Sequence, residues 1–240
     1  MIWRVAGTVL AVLLWSCGLE TYQSLDAPVL TVTYQQQSDY TRLSLTHDPG
    51  TYGGSDFLGY EVYYKIYPDQ LNATTNLARD AGVVSTTPKI ETLTSLGYKR
   101  LSSATLIHPL LPMDLNTTSK QTVVLDFSAF LASLKFATGT VDEPTASIVS
   151  ATGTKLTEIV LVRSLSTPNE VRISANFSDL ANAVTLIPDS DMDSASVTTA
   201  TKSFEIEFFI VAYAESRETF VQYYSTPVPW GIISGIMVRS

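Results

Sequence analysis

GYEVYYKIY, at residues 59–67, shows the clearest alternation of side chains in the chain. A period of two is typical of a β-strand, because successive side chains point to opposite faces of a sheet. We expect the core to receive one face of this strand, with Tyr60, Val62, Tyr64 and Ile66. The opposite face holds Glu61, Tyr63, Lys65 and Tyr67.

A second stretch, FEIEFFIVAY at residues 204–213, has the same character. Its inward face would hold Ile206, Phe208, Ile210 and Ala212. Shorter strand-like runs lie at residues 29–34, 42–46 and 219–225, and a loop rich in Pro and Gly follows the second of these. The apolar tail at residues 230–238 is too short to cross a bilayer and indicates a last strand or a docked tail. These patterns predict a mainly β protein.

The order of these strands resembles a fibronectin type III domain. The sequence APVLTV at residues 27–32, LSL at 43–45 and GYEVYYK at 59–65 are similar to strands A, B and C of that family. Residues 204–213 are similar to strand F, and residues 219–225 would be strand G. His47 stands where the family has a core Trp. The resemblance implies a fibronectin III or immunoglobulin-like sandwich formed by residues 28–67 and 204–240, with residues 68–203 as a large insertion between strands C and F.

The insertion is mixed α/β. Short helices are predicted at residues 74–81 and 89–96, and an amphipathic helix of about ten residues from Phe127, since apolar residues recur there at helical spacing. Strands are predicted at residues 122–126, 156–165 and 171–177, and Ser178 can cap a short helix. The insertion either extends the sandwich or packs as a subdomain, and both alternatives remain open at this point.

The N-terminus has one charge, Arg4, followed by an apolar run that is too short to span a bilayer. Leu14-Trp15-Ser16-Cys17 resembles the lipobox of bacterial lipoproteins, and its loose form is compatible with a spirochaetal one. The resemblance implies that residues 1–16 are a signal peptide and that Cys17 carries the lipid. Residues 18–27 would be a short tether to a membrane of the bacterial cell envelope. The alternative is an ordinary secretory signal that contains a Cys.

Charge and cysteine content exclude several classes of function. The formal net charge is −8 and the acidic residues are scattered, whereas proteins that bind nucleic acid carry basic patches. Cys17 is the only cysteine, so the chain cannot form an internal disulfide, a zinc finger or a cysteine nucleophile elsewhere. We therefore expect no nucleic-acid partner and no cofactor.

Signals for catalysis are weak. The two histidines, His47 and His108, lie in unrelated contexts, and no nucleophile elbow, zinc-protease motif or phosphate-binding loop occurs. The sequence thus predicts a protein that is not an enzyme. Asp189, Asp191 and Asp193 alternate in a way that could supply oxygen ligands to Ca²⁺, but the Gly and Glu of an EF-hand loop are missing, and a solvated acidic loop is the simpler interpretation.

Tyr63 and Tyr67 share the strand face opposite the predicted core. Exposed aromatic side chains there could stack on a glycan or anchor a protein partner, whereas the insertion could instead cover them. We expect a lipid-anchored binding or adhesion module. The alternatives are a structural partner of an envelope complex and an enzyme whose site the sequence does not reveal. A concave pocket lined with Tyr would favour the first, and a large exposed apolar patch the second.

Overall fold

The computed structural model describes residues 25–52, 56–68, 73–105, 108–114, 116–135, 139–166, 172–182, 190–193 and 203–237. Cys17 with its lipobox, Asp189 and most of the loop at residues 188–199 lie outside these ranges. Within the described residues, no helix is both long and apolar enough to cross a bilayer.

The described part of the chain is mainly β. Its helices are α1 (Ala73–Thr86), α2 (Ile90–Ser95), α3 (Ser128–Ser133) and α4 (Ser178–Asn182). Its strands are β1 (Arg42–His47), β2 (Phe57–Tyr67), β3 (Lys99–Arg100), β4 (Ser102–Ser103), β5 (Leu111–Pro112), β6 (Gln121–Asp126), β7 (Thr145–Ser150), β8 (Lys155–Ser166), β9 (Arg172–Ala175), β10 (Ser203–Glu215), β11 (Gln222–Tyr224) and β12 (Val228–Met237).

The strands form two antiparallel sheets. The first sheet has the order β1-β6-β7-β8-β4, with β9 beside β8. The second sheet has the order β11-β10-β2-β3, with β12 beside β10 and β5 beside β2. The chain passes from the second sheet to the first between β3 and β4, where Leu101 is fully buried. At this passage the two sheets are linked through one buried residue.

One apolar core lies between the sheets. β1 and β6 alternate buried and more exposed residues along their whole length, as expected for strands with one face in a core. β2 and β10 are buried on both faces, because α1 and α2 cover the side of the second sheet that turns away from the first. The inner faces meet through a core that includes Leu45, Val123, Leu125, Ile148, Leu161, Val62, Ile66, Ile206, Phe208 and Ile210.

Most of the predicted elements are confirmed. The strands at residues 59–67 and 204–213 are β2 and β10, and they pair with Tyr64 opposite Phe208. The short helices at 74–81 and 89–96 are α1 and α2, and the strand pair at 156–165 and 171–177 is β8 with β9. The helix predicted from Phe127 is shorter than expected, because it ends at Ser133.

The strand predicted at residues 29–34 is wrong. This segment joins neither sheet, it ends in a 3-10 turn at Tyr34–Gln36, and Val29 is 73% exposed. Its alternation of Val and Thr has the pattern of a strand. However, the side chain of Gln37 is hydrogen-bonded to the backbone of β12, where such a strand would otherwise pair. The Gln37 amide donates to the Ile232 carbonyl at 2.5 Å and accepts from the Ile232 N–H at 2.9 Å. A side chain thus takes the place of a neighbouring strand.

The segment predicted as an insertion builds much of both sheets. β6, β7, β8 and β9 belong to the first sheet, and β3 and β5 belong to the second. β1 has β6 as its partner over all six of its residues, from Arg42 opposite Asp126 to His47 opposite Gln121. Strands from residues 68–203 thus belong to both sheets.

Candidate functional site

Tyr63 and Tyr67 do not form an open face. Only 5% of Tyr63 and 2% of Tyr67 is exposed, because α1 and α2 pack over this side of β2. The Tyr67 hydroxyl donates to Asp80 Oδ2 on α1 at 2.9 Å. The expectation of a ligand or partner face at these two tyrosines is thus corrected. Both side chains lie in the interior, beneath α1 and α2.

A polar cluster lies beneath the same helices. Tyr98 donates to Glu207 Oε2 at 2.8 Å and lies 3.2 Å from Asp80 Oδ2, and all three residues are almost completely buried. Burial, assisted by the nearby Asp80 carboxylate, raises the pKa of Glu207 to about 9, against the hydrogen bond from Tyr98 that lowers it. Glu207 is therefore protonated at neutral pH, and this cluster belongs to the helix–sheet interface rather than to an open site.

Asp191 is an ion-pair partner instead of a metal ligand. Arg163 Nε donates to Asp191 Oδ2 at 2.8 Å and Arg163 Nη2 to Oδ1 at 2.7 Å. Tyr64 donates to Oδ2 at 2.7 Å, so both carboxylate oxygens are engaged in the core. Asp193 lies 3.5 Å from the ammonium of Lys65. A solvated loop does not describe Asp191, which is fully buried, whereas the Asp193 side chain is 31% exposed.

No group of three His, Cys, Asp or Glu side chains within the described ranges could hold a metal ion. The segment at residues 190–193 is tied to β2 by its backbone as well. Ile66 N–H donates to the Asp191 carbonyl at 2.9 Å, and Asp193 N–H donates to the Ile66 carbonyl at 2.8 Å. Asp191 and Asp193 therefore dock this segment onto β2.

A charged cluster that the sequence did not indicate lies near the start of β2. The buried Glu61 carboxylate is hydrogen-bonded to His108 Nδ1 and lies 3.7 Å from Arg100 Nη1. His108 also packs against the Tyr213 ring, with 4.5 Å between centroids. An acidic residue in a strand whose both faces are covered needs such partners. In the sequence, the charged Glu61 within an apolar strand was the one indication of this cluster. Its partners could not be identified because they come from distant parts of the chain.

A cavity of about 340 Å³ opens among the loops at one end of the sandwich. Two tyrosines form part of its wall, Lys120 and Asp48 make an ion pair of 3.2 Å there, and three threonines contribute further lining. We call it the tyrosine-lined cavity. Its lining residues are Val29, Thr31, Thr46, Asp48, Thr51, Tyr52, Tyr60 and Lys120.

Buried aromatic contacts hold the cavity wall in place. Tyr52 stacks on Phe57 with 4.1 Å between ring centroids, and the Tyr60 hydroxyl lies 2.8 Å from His47 Nδ1. Burial lowers the pKa of His47, so its ring is neutral and the hydrogen bond to Tyr60 is maintained at neutral pH. The His47 side chain is itself fully buried.

A second cavity of about 340 Å³ lies beside the first sheet, between the Gln37 segment and Trp230. Asp39 and Arg42 contribute charge to it, while Leu43 and Val124 contribute apolar surface. Its one aromatic side chain, Trp230, is 2% exposed.

Compared with family models, curated proteins and solved structures, the chain matches none. Aromatic exposure does not separate the two cavities, because Tyr60 and Tyr52 are 2% and 7% exposed. The tyrosine-lined cavity differs in having five hydroxyl-bearing side chains in its lining against three in the second.

Proposed function

We propose that this protein is a lipid-anchored bacterial envelope protein that acts as a non-catalytic binding module and takes its ligand in the tyrosine-lined cavity. The observation that carries the proposal is the concave wall formed by Tyr52 and Tyr60 together with threonine hydroxyls. Binding sites for small ligands are concave and combine apolar rings with a few oriented polar groups. The anchor is Cys17, placed in the lipobox-like sequence.

The lining points to a glycan as the ligand class. The threonine hydroxyls can donate and accept hydrogen bonds, as sugar hydroxyls do, and the small exposed part of the Tyr52 ring adds apolar surface to the wall. Lys120 and Asp48 balance each other in charge, so the cavity has no net charge to attract a strongly ionic ligand. A neutral oligosaccharide therefore fits the site better than a phosphate-rich ligand does.

The fold that we propose is a sandwich of the fibronectin III or immunoglobulin-like type. In such sandwiches, strands C, F and G lie together in one sheet. β2, β10 and β11 are consecutive neighbours in the second sheet, in the positions that the resemblance gives to C, F and G. The loops at one end of a sandwich are common places for binding, and the tyrosine-lined cavity lies among such loops.

A glycan array probed with the purified mature chain tests the cavity. We expect retention on neutral hexose or N-acetylhexosamine oligosaccharides, and at least a roughly tenfold loss of affinity in Lys120→Gln and Thr31→Val, equivalent to about 1.4 kcal/mol. Lys155→Gln is the matched control, because Lys155 also pairs with a carboxylate, at 2.7 Å from Glu158, but lies outside the cavity. Equal binding by all three variants, or no binding to any glycan, would contradict the proposal.

The anchor is tested separately by the intact mass of the protein from native membranes. We expect the mass of residues 17–240 plus acyl chains, and loss of the added mass in Cys17→Ala. Stable membrane attachment requires two or more chains, because a single acyl chain binds only marginally. An unmodified, soluble product cut at another position would contradict the anchor while leaving the glycan result to stand on its own.

The second candidate function is that of a structural partner in an envelope complex. Phe220 is 75% exposed and Val221 is 59% exposed, at adjacent positions of one loop. Adjacent exposed apolar residues are found at contact sites with proteins or membranes. Purification of the acylated protein from membranes with a stoichiometric protein partner, and loss of that partner in Phe220→Ser, would favour this candidate over the glycan-binding module.

A further inference from the structure

The loop between β10 and β11 presents two apolar side chains to the solvent. We call residues 216–221 the hairpin tip. The Ser216 N–H donates to the Val221 carbonyl at 3.0 Å, and the Phe220 N–H donates to the Ser216 carbonyl at 2.8 Å. The loop is therefore closed by its own backbone. Phe220 and Val221 project from it with exposed fractions of 75% and 59%.

Phe220 has a backbone conformation that large side chains rarely adopt. Its φ is 57°, and among the described residues it is the one non-glycine residue with a positive φ. This region is unfavourable for residues with a Cβ, and strained residues that persist are concentrated at functional sites. A Gly or Asn at this position would remove the strain, so the presence of Phe indicates that the aromatic side chain has a role there.

The hairpin tip lies at the end of the sandwich where the N-terminal tether leaves. Leu25 is buried in the core, and the carbonyl of the next residue, Asp26, accepts a hydrogen bond from Tyr52 at 3.2 Å. Tyr52 stacks on Phe57, which pairs with Ala214 near the end of β10. A short chain of contacts thus connects the start of the folded domain to the base of the hairpin.

We propose that Phe220 and Val221 insert into the lipid surface that carries the acylated Cys17. This inference rests on the proposed lipid anchor. The eight residue steps from Cys17 to Leu25 span at most about 26–29 Å, so the end of the domain that bears the hairpin tip is held near the membrane. Insertion there orients the domain and places the tyrosine-lined cavity close to the membrane surface.

The charges of the tip favour apolar contact with lipid over attraction to a charged surface. Arg217 and Glu218 are adjacent and exposed, and their charges cancel. The free energy of insertion therefore comes from removal of the Phe and Val side chains from water, which does not require anionic lipids. A phosphatidylcholine bilayer is accordingly the appropriate probe.

The experiment uses the acylated full-length mature chain, reconstituted into phosphatidylcholine vesicles with and without brominated acyl chains. Phe220→Trp reports on the tip and Met237→Trp is the matched control. Met237 is 59% exposed and pairs with Ser203, at the opposite end of β10 and about 40 Å away. The native Trp230 is 2% exposed and gives the background. Val221→Trp provides a second reporter that does not alter Phe220.

We expect the emission of Phe220→Trp and Val221→Trp to shift to the blue on reconstitution and to be lost with brominated lipid, while that of Met237→Trp stays unchanged. Equal emission from the tip and control reporters in vesicles would overturn the proposal. A blue shift without bromine quenching would also overturn it, in favour of contact with a second copy of this chain. The mass of each preparation reports acylation independently, and an unacylated native protein would remove the anchor itself and the inference with it.

Discussion

At the scale of single residues, Arg163 and Asp191 form a buried ion pair in the core. The side chains are 2% and 0% exposed, and their bidentate pairing is completed by Tyr64. Because desolvation of both ions opposes the attraction between them, such a pair adds little net stability, but the loss of one partner leaves an uncompensated buried charge. The ion pair therefore selects one docking position for residues 190–193.

Replacing Arg163 by Met is expected to lower the free energy of unfolding by about 3–5 kcal/mol, since Asp191 would remain buried without its cation. Urea denaturation followed by circular dichroism measures this change. The double variant Arg163→Met, Asp191→Leu should recover most of the loss, because it removes both charges. A double variant that is as unstable as the single one would show that side-chain shape, rather than charge, determines the effect.

Glu207 should make the protein less stable as the pH rises. Below its ordinary pKa of 4.5 the residue is protonated in both states, whereas the folded protein keeps that proton up to a pKa of about 9. Between these values the unfolded chain has released a proton that the folded protein retains. The free energy of unfolding therefore falls with pH, by up to about 1.4 kcal/mol per pH unit for this group alone.

In Glu207→Gln that pH dependence should be smaller, because an amide does not titrate. Urea denaturation at pH 5 and pH 8 provides the comparison with the unsubstituted protein. Glu158→Gln is the control, since its side chain is 45% exposed and pairs with Lys155 at the surface. If the free energy of unfolding fell by the same amount between pH 5 and pH 8 in Glu207→Gln and in the unsubstituted protein, Glu207 would not hold a proton in the folded state.

At the scale of elements, α1 has a buried face and an exposed face against the second sheet. Leu77 is fully buried in a cluster with Tyr63 and Phe209, while Val83 on the same helix is 42% exposed. This helix and α2 cover the outer face of β2, so that the face predicted as a binding surface is buried. Its packing therefore determines where a ligand can bind.

Leu77→Ala is expected to lower the free energy of unfolding by about 2–5 kcal/mol, because it leaves a cavity beneath α1. Val83→Ala should change it by less than about 0.5 kcal/mol, as is usual at the surface. Chemical denaturation of both variants tests the prediction. Similar effects at the two positions would mean that the helix contributes through its own helix propensity and not through contact with the sheet.

At the scale of the whole molecule, the two sheets depend on the segment at residues 68–203. β1 pairs with β6, and the first sheet would have one strand without that segment. Tyr67 and Glu205 are direct neighbours in the pairing of β2 with β10, so a short turn can join the two strands if the segment is deleted. Chain closure therefore does not prevent the deletion.

A chain that lacks residues 68–203 and carries such a turn is expected to unfold without a cooperative transition. The inner face of the second sheet would lose Val123, Leu125, Ile148 and Leu161, which oppose it in the core. Near-ultraviolet circular dichroism during thermal unfolding gives the measurement. A cooperative transition would show instead that residues 28–67 and 204–240 form a domain by themselves.

The sequence indicated β2 and β10 because a period of two persists along each strand, and local side-chain alternation is what a strand requires. It could not indicate that Glu61, Lys65, Glu205 and Glu207 are all buried, since charged residues on alternate positions normally mark a solvated face. The partners of these residues, such as His108 and Tyr98, come from elsewhere in the chain. The strand prediction at residues 29–34 was wrong because an alternating pattern forms a strand only where a sheet edge is free to pair with it. The Gln37 side chain already bonds to the backbone of Ile232 in β12.

The sequence by itself determined the mainly β character, the main strands, the short helices and the lipobox-like start, all of which depend on residues close together in the chain. Only the tertiary structure decided that residues 68–203 contribute strands to both sheets, that Tyr63 and Tyr67 are covered, and that Asp191 meets Arg163 in the core. It also formed the tyrosine-lined cavity from four separate segments. Local patterns specify which face of an element is apolar, but the element that comes to cover each face is selected by packing over the whole chain.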